Sequence, residues 1–193
     1  MKFGPTAEQT SFAAALDGLL SDANVPEIAR AWARTDFQPG LDLWARLAEL
    51  GVAGLMVAEA HGGLAAGMTD AVVAFERLGY HGVPGPWIET AVLGPCLLDA
   101  VGDPDGLLPG VVDGKVCLAV AVPPLTPYAV DAVASTRHFL VQDGALWASD
   151  VTEAFESVDP ARHLARLEPR TVVGSVDPKA IDWAVTVCAA QLI

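Results

Sequence analysis

Between residues 43 and 98 the apolar side chains fall three and four apart in three successive runs, each bounded by glycine or proline. That pattern restricts this part of the chain to amphipathic helices packed in a layer. Leu43, Trp44, Leu47 and Leu50 form the first face, and Gly51 supplies the left-handed residue that stops it. Val52 to Met56 is a short apolar run leading into Glu59-Ala60-His61-Gly62-Gly63, where paired glycines demand a turn. Met68, Ala71, Val72, Phe75 and Leu78 form the second face, which Gly79 is expected to close. Pro86 suits the first turn of the next helix, Ile88, Ala91 and Val92 give its face, and Pro95 should kink it.

The flanking sequence extends the pattern. Thr6-Ala7-Glu8-Gln9 is a capping box ahead of a helix whose face is Phe12, Leu16, Leu19 and Leu20. Residues 22–40 read as a helical turn (Ile28, Ala29, Trp32) followed by a loop. Asp103-Pro104-Asp105-Gly106 is expected to end the helical region. From Lys115 the texture becomes β-like: Val116, Leu118, Val120 and Val122 alternate with smaller residues, and short strands follow at 139–141 and 146–147.

Asp177 and Pro178 begin a last helix, with Ile181, Ala184, Val185, Cys188 and Leu192 on one face. The sequence stops at Ile193 without a terminating glycine or basic last turn. The expectation is therefore a fragment whose next domain lies beyond, or a helix that docks on a partner.

Charge and motifs narrow the chemistry. A net charge of −13 repels a nucleic-acid backbone, and no apolar run is long enough for a membrane span, so nucleic acid and membrane are not expected partners and cytoplasm is the expected location. Arg162, Arg166 and Arg170, at spacing four, are a candidate for a bound phosphate or an acidic partner, against a solvated stripe as the favoured reading. Cys96, Cys117 and Cys188 read as buried free thiols, and His61 as a turn residue without metal-ligand companions. The pairs Asp103 with Asp105 and Glu153 with Glu156 read as solvated. Dinucleotide, phosphate-loop, serine-elbow and zinc-helix signatures are absent.

Four segments in register, Leu43-Trp44-Ala45-Arg46-Leu47-Ala48-Glu49-Leu50-Gly51-Val52-Ala53-Gly54-Leu55-Met56, Glu59 to Gly63, Phe75-Glu76-Arg77-Leu78-Gly79 and Pro86-Trp87-Ile88-Glu89-Thr90-Ala91, resemble the N-terminal helical domain of the acyl-CoA dehydrogenase family. Asp159-Pro160-Ala161-Arg162 resembles a segment near the end of the family's middle β domain in actinobacterial-type members. The resemblance implies an α+β chain: an all-α domain over residues 1–112, a shortened β domain over 113–176, and the first helix of a truncated C-terminal bundle over 177–193.

It also implies an FAD-dependent α,β-dehydrogenation of an acyl-CoA thioester, in which a glutamate takes the α proton and hydride leaves for the flavin. That glutamate belongs to the missing bundle, so no catalytic residue is assigned. Where the family has Thr-Glu-Pro and a Gly-Ser turn, this chain has Ala121-Val122-Pro123-Pro124-Leu125-Thr126. FAD is accordingly expected only in a full-length or heteromeric assembly, with Thr126, Trp147 and Ser149 as its candidate contacts, and Ile88 and Val92 as candidate acyl-pocket residues. The implied partner is a second acyl-CoA dehydrogenase-like subunit, or a second copy, as in the heteromeric enzymes of steroid side-chain breakdown. The alternative is an interaction module that has kept the fold and lost FAD binding.

Overall fold

The computed structural model describes residues 4–190. Helices come first and a five-stranded mixed sheet follows, which makes the chain α+β. The Thr6 cap forms as the sequence requires: Thr6 Oγ1 accepts the Gln9 N–H at 3.1 Å and Gln9 Oε1 accepts the Thr6 N–H at 2.9 Å, opening α1 (Ala7–Asp22). Gln9 also donates through Nε2 to Asp70 Oδ1 at 2.9 Å, near the start of α4 (Met68–His81). At the far end Asp17 meets His81 at 3.0 Å and Arg77 at 3.5 Å, so α1 is fastened to α4 at both ends. Leu16, Leu20, Leu43, Leu47, Phe75 and Leu78 are buried between these helices and α3 (Gln38–Glu49).

Several boundaries differ from those read in the sequence. Residues 22–40 hold more helix than a turn and a loop: α2 (Val25–Ala33) is a full element, and α3 begins at Gln38 with Pro39 in its first turn. Proline there lacks only an N–H that has no helical partner, so it opens a helix as readily as it breaks one. Helix α4 passes through Gly79 and ends at Gly82, whose φ of +68° forms the left-handed cap. The helical region also continues past Asp103. This residue is buried rather than solvated, because its two carboxylate oxygens accept the N–H groups of Leu107 (2.9 Å) and Leu108 (3.0 Å) and start α6 (Leu108–Val112). The Gly-Gly turn forms as expected. Gly62 takes φ +83°, and a methyl on Gly63 would collide with the Val57 backbone.

The sheet runs in the order β1 (Leu118–Ala121), β3 (Arg137–Gln142), β4 (Ala145–Phe155), β5 (Leu164–Ser175), β2 (Ala129–Val130). Only the β1–β3 pair is parallel. The fragment expected at 146–147 belongs to β4, eleven residues long, and β5 has twelve. Their register shifts three times, which breaks the period-two signal that strand reading depends on. The alternation in β1 has a simple cause. Leu118, Val120 and Val122 face the helices, while Ala119 and Ala121 enter a second small core with Leu140, Ala165 and Leu167, so every residue of the strand is buried.

Helix α7 (Pro178–Ala190) starts at Asp177, whose Oδ1 accepts the Lys179 N–H at 2.8 Å. Ala184 is fully buried, and Ile181, Val185 and Cys188 pack beside it against the core shared by α5 (Gly94–Ala100) and the sheet. Leu192, expected on this face, lies outside the described residues.

Candidate functional site

The site is organised by an irregular turn ahead of α5. The helix that begins at Trp87 widens over Glu89–Leu93 into a π-helical turn, in which Gly94 N–H reaches back to the Glu89 carbonyl. Just before Pro95, where a kink is expected, an extra residue is wound into the helix, an arrangement found often at functional positions. A methyl on Gly94 would overlap Leu118 and the Glu89 carbonyl, so glycine is what lets this turn lie against β1. Fully buried Thr90 ties the two together: its hydroxyl accepts the Leu118 N–H at 2.8 Å and donates to the Leu118 carbonyl at 3.1 Å.

The turn forms one wall of a cavity of about 350 Å³. Phe75, Leu78, Val83, Trp87, Ile88 and Leu93 make it largely apolar, Thr126 closes it from the segment after β1, and Cys188 closes it from α7. A carboxyl and a guanidinium, those of Glu89 and Arg162, interrupt the apolar lining. Burial raises the Glu89 carboxyl from its ordinary 4.5 to about 7; its own backbone N–H and the positive Arg162 oppose that shift, and Asp131 adds to it. The nearby thiols are inert. Burial pushes Cys188 up to about 12 and Cys117 up to about 11, so neither presents a thiolate near neutrality.

The five residues singled out in the sequence separate into groups. Ile88 and Thr126 meet in this cavity. Val92 is fully buried in the helical core and does not line it. Thr126 Oγ1 accepts the Val122 N–H at 3.1 Å, Trp147 Nε1 donates to the Gln142 carbonyl at 3.2 Å, and Ser149 Oγ donates to the Trp147 carbonyl at 3.1 Å. Ser149 lines a different cavity, beside Thr136 and Arg170. The polar atoms expected to meet a flavin thus each have an internal partner, and Ser149 lies in a different cavity from Thr126.

Glu89 is the residue the sequence reading passed over. Its signal was a carboxylate set between Ile88 and Val92 in an otherwise apolar helical run. The arginine series also divides. Arg166 and Arg170 pair across the strands with Glu153 (3.2 Å) and Asp150 (3.6 Å), whereas Arg162 lies in the β4–β5 connection and borders three cavities. Among the described residues no group of three His, Cys, Asp or Glu is placed to hold a metal ion. Among the described residues no helix is long and apolar enough to cross a membrane.

Residues 6–105 match the family model described as acyl-CoA dehydrogenase, N-terminal domain. The chain is 27% identical over 193 residues to acyl-CoA dehydrogenase IpdE2 of Mycobacterium tuberculosis, covering 98% of this chain and 60% of that protein. Its fold is similar to that of a variant of the Tcur3481-Tcur3483 steroid ACAD (TM-score 0.74, 22% identity, 96% of this chain and 61% of the other). It is equally similar to the ChsE4-ChsE5 complex from Mycobacterium tuberculosis (TM-score 0.74, 19% identity, 97% and 62%). A glutaryl-CoA dehydrogenase from Mycobacterium smegmatis in complex with FADH2 gives a TM-score of 0.70 at 11% identity, over 95% of this chain and 60% of the other. The chain thus spans about three fifths of the length of these relatives.

Proposed function

The chain belongs to the acyl-CoA dehydrogenase family, and from that premise we propose that it is a subunit or fragment of an FAD-dependent enzyme that dehydrogenates an acyl-CoA thioester between its α and β carbons. The observation that carries this reading is the cavity in which Ile88, on the π-turn helix, faces Thr126 across apolar walls. A pocket of this size with a few convergent polar groups suits part of an acyl chain. Here the chain's own residues exclude water and orient the acyl group, with Phe75, Leu78 and Ile88 as the wall and Glu89 and Arg162 as the polar edge.

FAD, when bound in the assembly, supplies the hydride acceptor. Because Ser149 lines a different cavity from Thr126, we assign its binding to a complete assembly with a second acyl-CoA dehydrogenase-like chain. The division at residues 112/113 and 176/177, a cytoplasmic location and a bulky steroid-derived or branched acyl group belong to the same proposal. The names of the IpdE2 relative and of the steroid ACAD and ChsE4-ChsE5 neighbours support the enzyme class and the heteromeric form.

Co-expression with a candidate dehydrogenase-like partner tests the reading. A yellow complex that oxidises acyl-CoA is the expected result, and Ile88→Trp in that complex should raise KM for bulky acyl-CoA more than for short ones. A stable but colourless and inactive complex would support the interaction module instead, a reading favoured by the placement of Thr126 and Ser149 in different cavities.

A further inference from the structure

A cavity of about 670 Å³ lies between the α2–α3 turn and the distal ends of β4 and β5, and it shares only Arg162 with the cavity beside Ile88. Phe37, Val133, Phe155 and Pro160 give it apolar walls, and Arg162 and His163 stand side by side in its lining. Behind them is a buried carboxylate. Asp131 is completely inaccessible, and its Oδ1 is 3.0 Å from His163 Nδ1, 3.1 Å from the His163 N–H and 3.1 Å from Trp32 Nε1. Its Oδ2 has no partner. With Nδ1 turned to this carboxylate, Nε2 is the ring's remaining polar atom. Phe37 packs edge-on against both His163 (5.5 Å between centroids) and Trp32 (4.8 Å), which holds the ring plane.

From this geometry we infer that the cavity is a binding site for a monoanionic carboxylate with an apolar ring body. The carboxylate meets the Arg162 guanidinium and, once a proton is on it, His163 Nε2; the ring body lies against Phe37 and Phe155. A planar guanidinium is suited to carboxylate and can hold it through two parallel N–H bonds. Polyanions are disfavoured. Glu156 also lines the cavity, Asp159 stands 4.0 Å from Arg162, and the chain carries a net charge of −13. The size falls within the range of small-molecule sites.

The test is calorimetric titration of the whole chain with naphthoate and with adamantanecarboxylate, each against its neutral carboxamide, alongside nitrogen NMR of the histidine rings. The expected result is saturable binding of at least one carboxylate below roughly millimolar concentration, with the carboxamide weaker by about tenfold or more. The His163 Nε2 resonance should shift, and Arg162→Gln and Phe37→Ala should each weaken binding by a similar factor while Ile88→Ala leaves it unchanged. His163→Asn keeps a donor for Asp131, so loss of binding in that folded variant reports the lost Nε2. Absence of saturable binding, equal binding of carboxamide and carboxylate, or sensitivity to Ile88→Ala in place of Arg162→Gln overturns the assignment.

Discussion

Trp32 Nε1 donates to Asp131 Oδ1 at 3.1 Å in the protein interior, joining α2 to the segment between β2 and β3 across 99 residues of sequence. Trp32 is also buried to 1% exposure, so the contact combines a large apolar burial with a bond to a carboxylate. Trp32→Phe keeps much of the ring and removes the donor. With Asp131 Oδ2 already unpartnered, the loss should cost about 1.5–3 kcal/mol, the range for a hydrogen bond to a carboxylate. Urea unfolding should show a lower midpoint with an unchanged slope; a variant as stable as the parent would mean that the bond contributes nothing net.

The bond between Thr90 and Leu118 performs the same joining at the site itself. Thr90→Val is close in shape and removes one donor and one acceptor from a fully buried position. The expected loss is about 2 kcal/mol or more, because two buried backbone groups of Leu118 lose a partner together. Thr90→Ser, which keeps the hydroxyl, should recover most of it. Hydrogen exchange at the Leu118 amide supplies the local readout: it should quicken in Thr90→Val and stay near the parent rate in Thr90→Ser.

Gly40 stands in the first turn of α3, where an alanine would ordinarily stabilise the helix by about 0.5–1 kcal/mol. Here the added methyl would overlap the six-membered ring of the Trp32 indole. Overpacking of this kind costs about 1–3 kcal/mol, so the steric effect should win and Gly40→Ala should lower stability. Gly18, exposed on α1 with open space around its Cα, provides the control, since Gly18→Ala should raise stability slightly. Thermal unfolding of the two variants should therefore move in opposite directions.

What was legible in the sequence follows from how local each cause is. The Thr6–Gln9 box, the α3 face ending at Gly51 and the Asp177 cap depend on neighbours within a few residues, and they formed where the sequence placed them. The α4 terminus was misplaced by three residues because Gly79 and Gly82 are chemically alike and only packing selects between them. The length of β4 and β5 was hidden by register shifts, and the burial of Asp103 by a cap that acts over four and five residues. At the site, periodicity put Ile88 on a helix face and the family resemblance made it a pocket candidate, whereas Glu89 and Arg162 become neighbours only because the β4–β5 connection folds back onto the π turn. No pattern along the chain encodes that meeting.

Glu89 connects the site to pH. Burial raises its carboxyl from 4.5 to about 7, so between these values the folded state binds a proton that the unfolded state has released. Stability contributed by the neutral carboxyl is full below the unfolded value and declines as pH rises toward about 7, after which this group adds no further slope. Glu89→Gln keeps the shape and removes the charge. It should therefore be close to neutral near about pH 4 and stabilising near about pH 8, by on the order of 2 kcal/mol once partial access to the cavity is allowed for. Arg162→Gln should act in the opposite sense at the higher pH, since its positive charge opposes the Glu89 shift. Urea unfolding across that range, for the parent and both variants, checks the sign: a Glu89→Gln gain that is the same at both ends of the range would show that the carboxyl is not held neutral by the fold.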